Sequence, residues 1–201
     1  MSDDKIFEKT VSITSICLVV YPLMAFLGIG LCFYYNYELF AAQGFAKFYI
    51  FGTIPVLSQI IMGLVVTFVT IVLCIWGSSS LAWLKNTEVE LKKVIGDLTL
   101  REMVIIGVCS GIGEEVLFRG ALQPMFGLVW TSLFFGMLHF PVNKQFLFYP
   151  IFATIMGFIL GYLTIINHGC ITSAIVAHAF VNMVNLYRIN KVVVEDTPVG
   201  D

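Results

Sequence analysis

Five ionisable side chains lie inside apolar stretches of this 201-residue chain: Glu114, Glu115, Arg119, His139 and His178. A charged group at mid-bilayer costs about 2.5–3.5 kcal/mol on insertion scales, so several in so small a chain need a reason. A carboxylate beside an imidazole can hold a water and take its proton. A second imidazole and an amide can donate hydrogen bonds to the oxyanion formed when that water attacks a carbonyl. That is equipment for peptide-bond hydrolysis in a low-dielectric pocket. Glu114, His139 and His178 would equally make a three-ligand zinc set with an open position. Residue types alone leave both forms open. The chain has no GxGD and no HExxH pattern.

Helix geometry predicts which of these groups can meet. At about 100° per residue, Glu114 falls within about 20° of Gly107, on a face that also holds Gly111 and Ala121. Gly107 and Gly111 have the spacing that lets a second helix approach closely. Glu114 therefore points into the bundle. Glu115 and Arg119 form an i,i+4 pair on the flank. Gly127 is a natural hairpin, with Glu115 twelve residues before it and His139 twelve after. Equal helical rise then puts Glu114, Glu115 and His139 at similar depth. His178 and Asn182 share a helix face at i,i+4, and His178 lies about 14 Å along its helix from Gly169, within about a turn of the same level.

The elements that must carry these residues are membrane helices. Hydrophobic residues make up 59% of the chain and charged residues 12%, against about 45–50% and 25% in soluble domains. The net charge is -2. Disorder, a coiled coil and nucleic-acid binding are excluded. The expected fold is all-α, a polytopic transmembrane bundle of about six spans with an amphipathic surface segment. The spans are 11–35 with a kink at Pro22, 48–76 containing Pro55, 101–126, 128–140 stopped by Pro141, 146–166 and 170–186. Residues 36–47 form a loop, residues 77–100 lie at the membrane surface, and Thr99 to Glu102 reads as a capping box. The five cysteines read as small buried hydrophobes. No cleavable signal peptide is evident. Residues 1–201 read as one membrane domain.

Three motifs resemble those of one family. Glu114-Glu115-Val-Leu-Phe-Arg119 is similar to EExxxR, Phe135-Gly-Met-Leu-His139 to FxxxH, and His178-Ala-Phe-Val-Asn182 to HxxxN. All three occur, in that order, in the CPBP family, the CAAX-protease and bacteriocin-processing (Abi) intramembrane proteases that include CAAX prenyl protease 2. The resemblance covers residues 99–188. Residues 1–98 add two spans and the amphipathic segment. It implies an intramembrane endopeptidase, glutamate-type or metal-dependent, in which Glu114 and His139 activate water while His178 and Asn182 form the oxyanion hole. Glu115, Arg119 and Phe135 would be supporting residues. The Arg119–Phe135 spacing is shorter than the family pattern, which predicts a tight hairpin.

The favoured expectation needs no cofactor, because an amide such as Asn182 is a poor zinc ligand but a good oxyanion donor; Zn2+ is the alternative. The partners expected are the lipid bilayer and a peptide or protein substrate entering from the membrane or the cytoplasmic side. The alternative function is a non-catalytic bacteriocin-immunity or scaffolding membrane protein. A transporter subunit with a proton relay is a third, which the lack of an inverted repeat disfavours. With six spans, Lys5, Lys9, Lys85, Lys92, Lys93, Arg101, Lys144, Arg188 and Lys191 share one side, and Lys47 lies on the other. The positive-inside rule then makes both termini cytoplasmic, in a bacterial inner membrane.

Overall fold

A computed structural model describes residues 3–35, 50–139 and 148–194, with side chains from residue 13 onward. The helices are α1 (Asp3–Tyr35), α2 (Val56–Ser80), α3 (Ala82–Ile95), α4 (Leu100–Glu115), α5 (Gln123–Leu138), α6 (Phe148–Ile166) and α7 (Thr172–Asn190). A π-helical stretch, Val116–Leu122, joins α4 to α5. The described residues contain no strand. Among the described residues, four stretches are long and apolar enough to cross a membrane: Ile13–Tyr35, Val56–Ser80, Leu100–Leu138 and Phe148–Ile166. The chain is a multi-pass helical membrane bundle. Helix α7 falls short on apolarity because it carries His178, Asn182, Asn185 and Arg188.

The stretch Leu100–Leu138 does not run straight. Gly127 has φ 76° and ψ 170°, a conformation outside the helical region that glycine adopts without a Cβ penalty. The chain turns back there. Phe135 consequently meets the ring of Phe118 edge-on at 4.9 Å, so the expected hairpin forms. The start of α4 is fixed by the expected capping box: Thr99 Oγ1 accepts from the Glu102 amide at 3.3 Å, and Glu102 Oε2 accepts from the Thr99 amide at 2.9 Å. Those bonds satisfy two amides that the first turn of a helix leaves orphaned.

Helices α4 and α7 pack antiparallel in a register that small residues set. A Cβ on Gly111 would lie 2.9 Å from Ala179 Cβ, and one on Gly107 would collide with Met183. The expected close approach at the glycine pair is therefore made by α7. Further along the same pair, Ser110 meets Asn182, and Glu115 meets His178.

The two ends of the bundle are fastened differently. At one end the amphipathic α3 is tied to α7: Arg188 Nη2 donates to Glu88 Oε1 at 2.9 Å, and Lys92 Nζ donates to the Asn190 carbonyl at 3.0 Å. Thr14 reaches Glu102 at 3.4 Å, which brings α1 to that end as well. At the other end, Gln59 and Thr172 both donate to the Ile50 carbonyl, at 3.2 and 3.1 Å.

Several expected boundaries shift. Pro55 is not inside the second span but caps it, and α2 begins at Val56; proline lacks the amide a helix interior needs. Helix α2 runs on to Ser80, with Ser78 Oγ donating back to the Cys74 carbonyl at 2.6 Å. The amphipathic helix starts only after extended Leu81. Helix α1 continues through Pro22, and α7 extends a turn past Leu186. The 36–47 loop, the first residues of the 48–76 span, Pro141, the 141–145 loop and the last seven residues lie outside the described residues.

Candidate active site

Glu114 and Glu115 end α4, at the point where the helix opens into its π-helical turn. π-Helical turns are rare and frequently mark functional sites. Both carboxylates are buried, at 6% and 0% exposure. Glu115 Oε2 is 3.3 Å from Arg119 Nε, the expected i,i+4 pair. Its other oxygen has a second partner that helix spacing does not reveal: Glu115 Oε1 accepts from His178 Nδ1 at 2.7 Å. Glu115 is thus shared between its own helix and α7.

Arg119 is 1% exposed. Its Nη2 donates to the Gly157 carbonyl on α6 at 3.1 Å, and its guanidinium lies 4.6 Å from the centre of the Phe135 ring. That contact places cation against π face, worth about 2 kcal/mol when desolvated. The same ring packs against His139 at 4.7 Å and against His178 at 6.0 Å. Phe135 therefore holds the arginine and both imidazoles together.

His139 ends α5, and its Nδ1 bonds the Phe135 carbonyl at 2.7 Å. A carbonyl only accepts, so Nδ1 carries the proton and Nε2 faces the site. His139 Nε2 and His178 Nε2 each lie 3.9 Å from one atom, Glu114 Oε2. That oxygen is buried and accepts no hydrogen bond from the protein. A distance of 3.9 Å is too long for direct hydrogen bonding. It suits a small polar group bridging carboxylate and imidazoles. The depth matching across the Gly127 hairpin thus has its counterpart in the distances.

These atoms line a cavity of about 60 Å³ with Tyr21, Tyr149 and Asn182. A larger, mostly apolar cavity of about 410 Å³ shares Tyr21, Tyr149, Phe152, Met156 and Asn182 as walls. It extends to α3 and to Arg188 at the end of the bundle.

Residues 97–184 match the family described as type II CAAX prenyl endopeptidase Rce1-like. Over that segment the chain is similar to the Rce1-like family. The resemblance carried by the three motifs is borne out there, and the matched segment nearly coincides with 99–188. A further relative is the uncharacterized protein YpbD of Bacillus subtilis (strain 168), 34% identical over 70 residues. The alignment covers 35% of this chain and 36% of YpbD, so the chain spans about a third of that relative's length. No solved structure matches the chain.

Three residues of the site escaped the sequence reading. Tyr21 comes from α1, outside the Rce1-like segment. Its hydroxyl interacts with the Glu114 carboxylate, and its backbone reaches α4 because residue 113 is glycine: a Cβ there would lie 2.5 Å from the Tyr21 carbonyl oxygen. Tyr149 packs on His139 with ring centres 5.6 Å apart. Ser110 meets Asn182. Only Ser110 had a signal, since it stands four residues before Glu114 on the same helix face.

The donor spacing also bears on zinc. Ligand atoms of a tetrahedral site with bonds near 2.0–2.1 Å stand roughly 3.3 Å apart, whereas Glu114 Oε2 is 3.9 Å from each Nε2. Among the described residues no group of three His, Cys, Asp or Glu side chains is arranged to hold a metal ion. As spaced here, the three donors stand wider than a tetrahedral zinc site requires.

Proposed function

We propose that the chain is an intramembrane endopeptidase that hydrolyses a peptide bond with a water held by Glu114 and His139. The observation that carries this reading is the buried Glu114 Oε2, unpartnered and equidistant from two imidazole Nε2 atoms. Glu114 takes the proton of the attacking water, and the neutral His139 orients that water through its Nε2 lone pair. The oxygen adds to the carbonyl carbon, and the carbonyl oxygen becomes the oxyanion. His178 Nε2 and the Asn182 amide donate to it. Glu114 then delivers the proton to the departing amine, which leaves as the C–N bond breaks.

Charge balance supports the role of His178. Its Nδ1 proton is given to Glu115, so Nε2 carries a proton only in the imidazolium form. Two carboxylates, Arg119 and one imidazolium sum to zero in a buried cluster, where an unbalanced charge is costly.

The peptide substrate would approach through the larger apolar cavity, whose walls adjoin the reacting groups. The same reading places both termini in the cytoplasm of a bacterial cell and requires no metal. The test compares peptides released from membranes carrying the wild-type chain or Glu114→Gln. Release of defined peptides by wild type alone is expected. Identical peptide sets from both would overturn the proposal in favour of a non-catalytic membrane protein.

A further inference from the structure

We infer that Ser110 is a positioning residue that sets the orientation of the Asn182 amide for the oxyanion. The inference rests on the proposed hydrolysis and adds to it a residue that none of the three motifs contains.

A serine hydroxyl has one proton to give and two lone pairs to offer. Ser110 is 1% exposed. Its proton is directed at the Gly107 carbonyl, 3.1 Å away on its own helix. What the hydroxyl presents to α7 is therefore a lone pair, and only a donor can face it. Asn182 Nδ2 does so at 2.9 Å. This pairing selects one of the two amide orientations: with the amide reversed, Oδ1 would face an oxygen lone pair. The Asn182 nitrogen has two protons. One is held by Ser110, and the second remains for a group in the cavities that Asn182 lines.

The position of Ser110 is itself fixed. It lies one residue before Gly111 and three after Gly107, the two glycines that seat Ala179 and Met183 against α4. Four residues on, Glu114 faces His178, the residue a turn before Asn182 on α7. The helix pair thus has a glycine level, a Ser110–Asn182 level and a Glu114–His178 level. Ser110 transmits the helix register to the amide, so a donor is preorganised where negative charge develops.

The experiment is a double-mutant cycle on the full chain in proteoliposomes. The probe is the peptide whose release depends on Glu114, resynthesised as an internally quenched fluorogenic substrate. Ser110→Ala is expected to lower kcat about tenfold with KM within twofold. Asn182→Ala should lower kcat about 10²-fold, the loss of one oxyanion donor. The double variant should be no slower than Asn182→Ala, because Ser110 acts through that amide. Losses that multiply in the double variant would overturn the inference and leave Ser110 as a packing residue. Ser110→Cys preserves volume and gives the cycle a second variant if Ser110→Ala fails to fold; its kcat should fall between wild type and Asn182→Ala. A probe cleaved equally by Glu114→Gln would instead refute the proposed function, an outcome distinct from multiplying losses.

Discussion

Glu115→Gln separates the two jobs that the structure gives one carboxylate. Glu115 is fully buried, pairs with Arg119 Nε and accepts from His178 Nδ1. Removing its charge leaves the Arg119 guanidinium with the Gly157 carbonyl and the Phe135 ring. Breaking a buried pair costs about 3–5 kcal/mol, and those remaining contacts argue for the lower end, about 3 kcal/mol. For a chain of this size that is a Tm decrease of roughly 6–12 °C. The glutamine oxygen can still accept from His178 Nδ1, so the ring stays oriented. The imidazolium loses its counter-charge, and with it the proton at Nε2. A lost oxyanion donor costs about 10²–10³ in kcat, and retained orientation again argues for about 10². KM should stay within a factor of about three, since Glu115 lines neither cavity. Thermal unfolding in detergent and cleavage of a fluorogenic peptide by the folded fraction read the two effects separately. The double variant Glu115→Gln/Arg119→Met removes both charges and leaves Glu114 to balance the imidazolium, so Tm should recover and kcat should rise above that of Glu115→Gln. Wild-type kcat in Glu115→Gln, or a double variant with recovered Tm that is no faster than Glu115→Gln, would refute the charge-balanced role of His178.

The other predictions concern packing, metal, topology and the N-terminal helix. Gly111→Val should force α4 from Ala179 and cost at least about 2 kcal/mol, whereas Gly30→Val, with nothing within 4 Å of a Cβ there, should leave Tm unchanged within about 1 °C. Exhaustive chelation should leave cleavage rates within about twofold; stoichiometric zinc in the purified chain, with activity lost on chelation and restored by zinc alone, would show the metal-free reading wrong. Reporter fusions after Lys47 and after Lys191 should report opposite sides of the membrane, with Lys191 cytoplasmic. Tyr21→Phe should lower kcat several-fold at unchanged Tm if the α1 hydroxyl acts on Glu114, and an unaltered rate would leave α1 as scaffold only.

What could be read from the sequence follows the helical repeat. EExxxR and HxxxN are statements about i,i+4 neighbours, so Glu115–Arg119 and the shared face of His178 and Asn182 follow from spacing alone. Gly127 fixes equal arms by counting, and that is why Glu114 and His139 come to one depth. The glycine pair announces a close helix without naming it. Contacts between helices are another matter. Nothing in Glu115-Val-Leu-Phe-Arg119 marks the passage to a π-helical turn, since the same side chains suit either winding. The bond from Glu115 to His178 depends on where α7 lies, and the part of Tyr21 depends on a helix with no recognised motif. Pro55 was misplaced for a simpler reason: an apolar run is continuous in composition even where the backbone changes from extended to helical.

The π-helical turn brings these observations into one physical account. A carboxylate pair at adjacent positions of a regular α-helix diverges by about 100°, so both members cannot face one partner helix squarely. Here both reach α7, Glu114 toward His178 Nε2 and Glu115 onto Nδ1 of the same ring. They do so at the last turn of α4, directly before the winding loosens at Val116. Arg119, inside the loosened turn, is brought under Phe135 and onto α6. One imidazole is thereby contacted by both carboxylates, one of which is in turn anchored by an arginine fixed to a third helix. Four buried ionisable groups hold one another in place; Glu114 Oε2, Glu115 Oε2 and Arg119 Nε and Nη1 make no protein hydrogen bond, but Glu115 Oε2 and Arg119 Nε face each other as an ion pair at 3.3 Å. Glu114 Oε2 has no counter-charge that close, its nearest imidazole nitrogens standing at 3.9 Å, and a buried acceptor left unpaired costs about 1–3 kcal/mol. On the proposed mechanism that cost is offset by the reacting water, which would bond this oxygen.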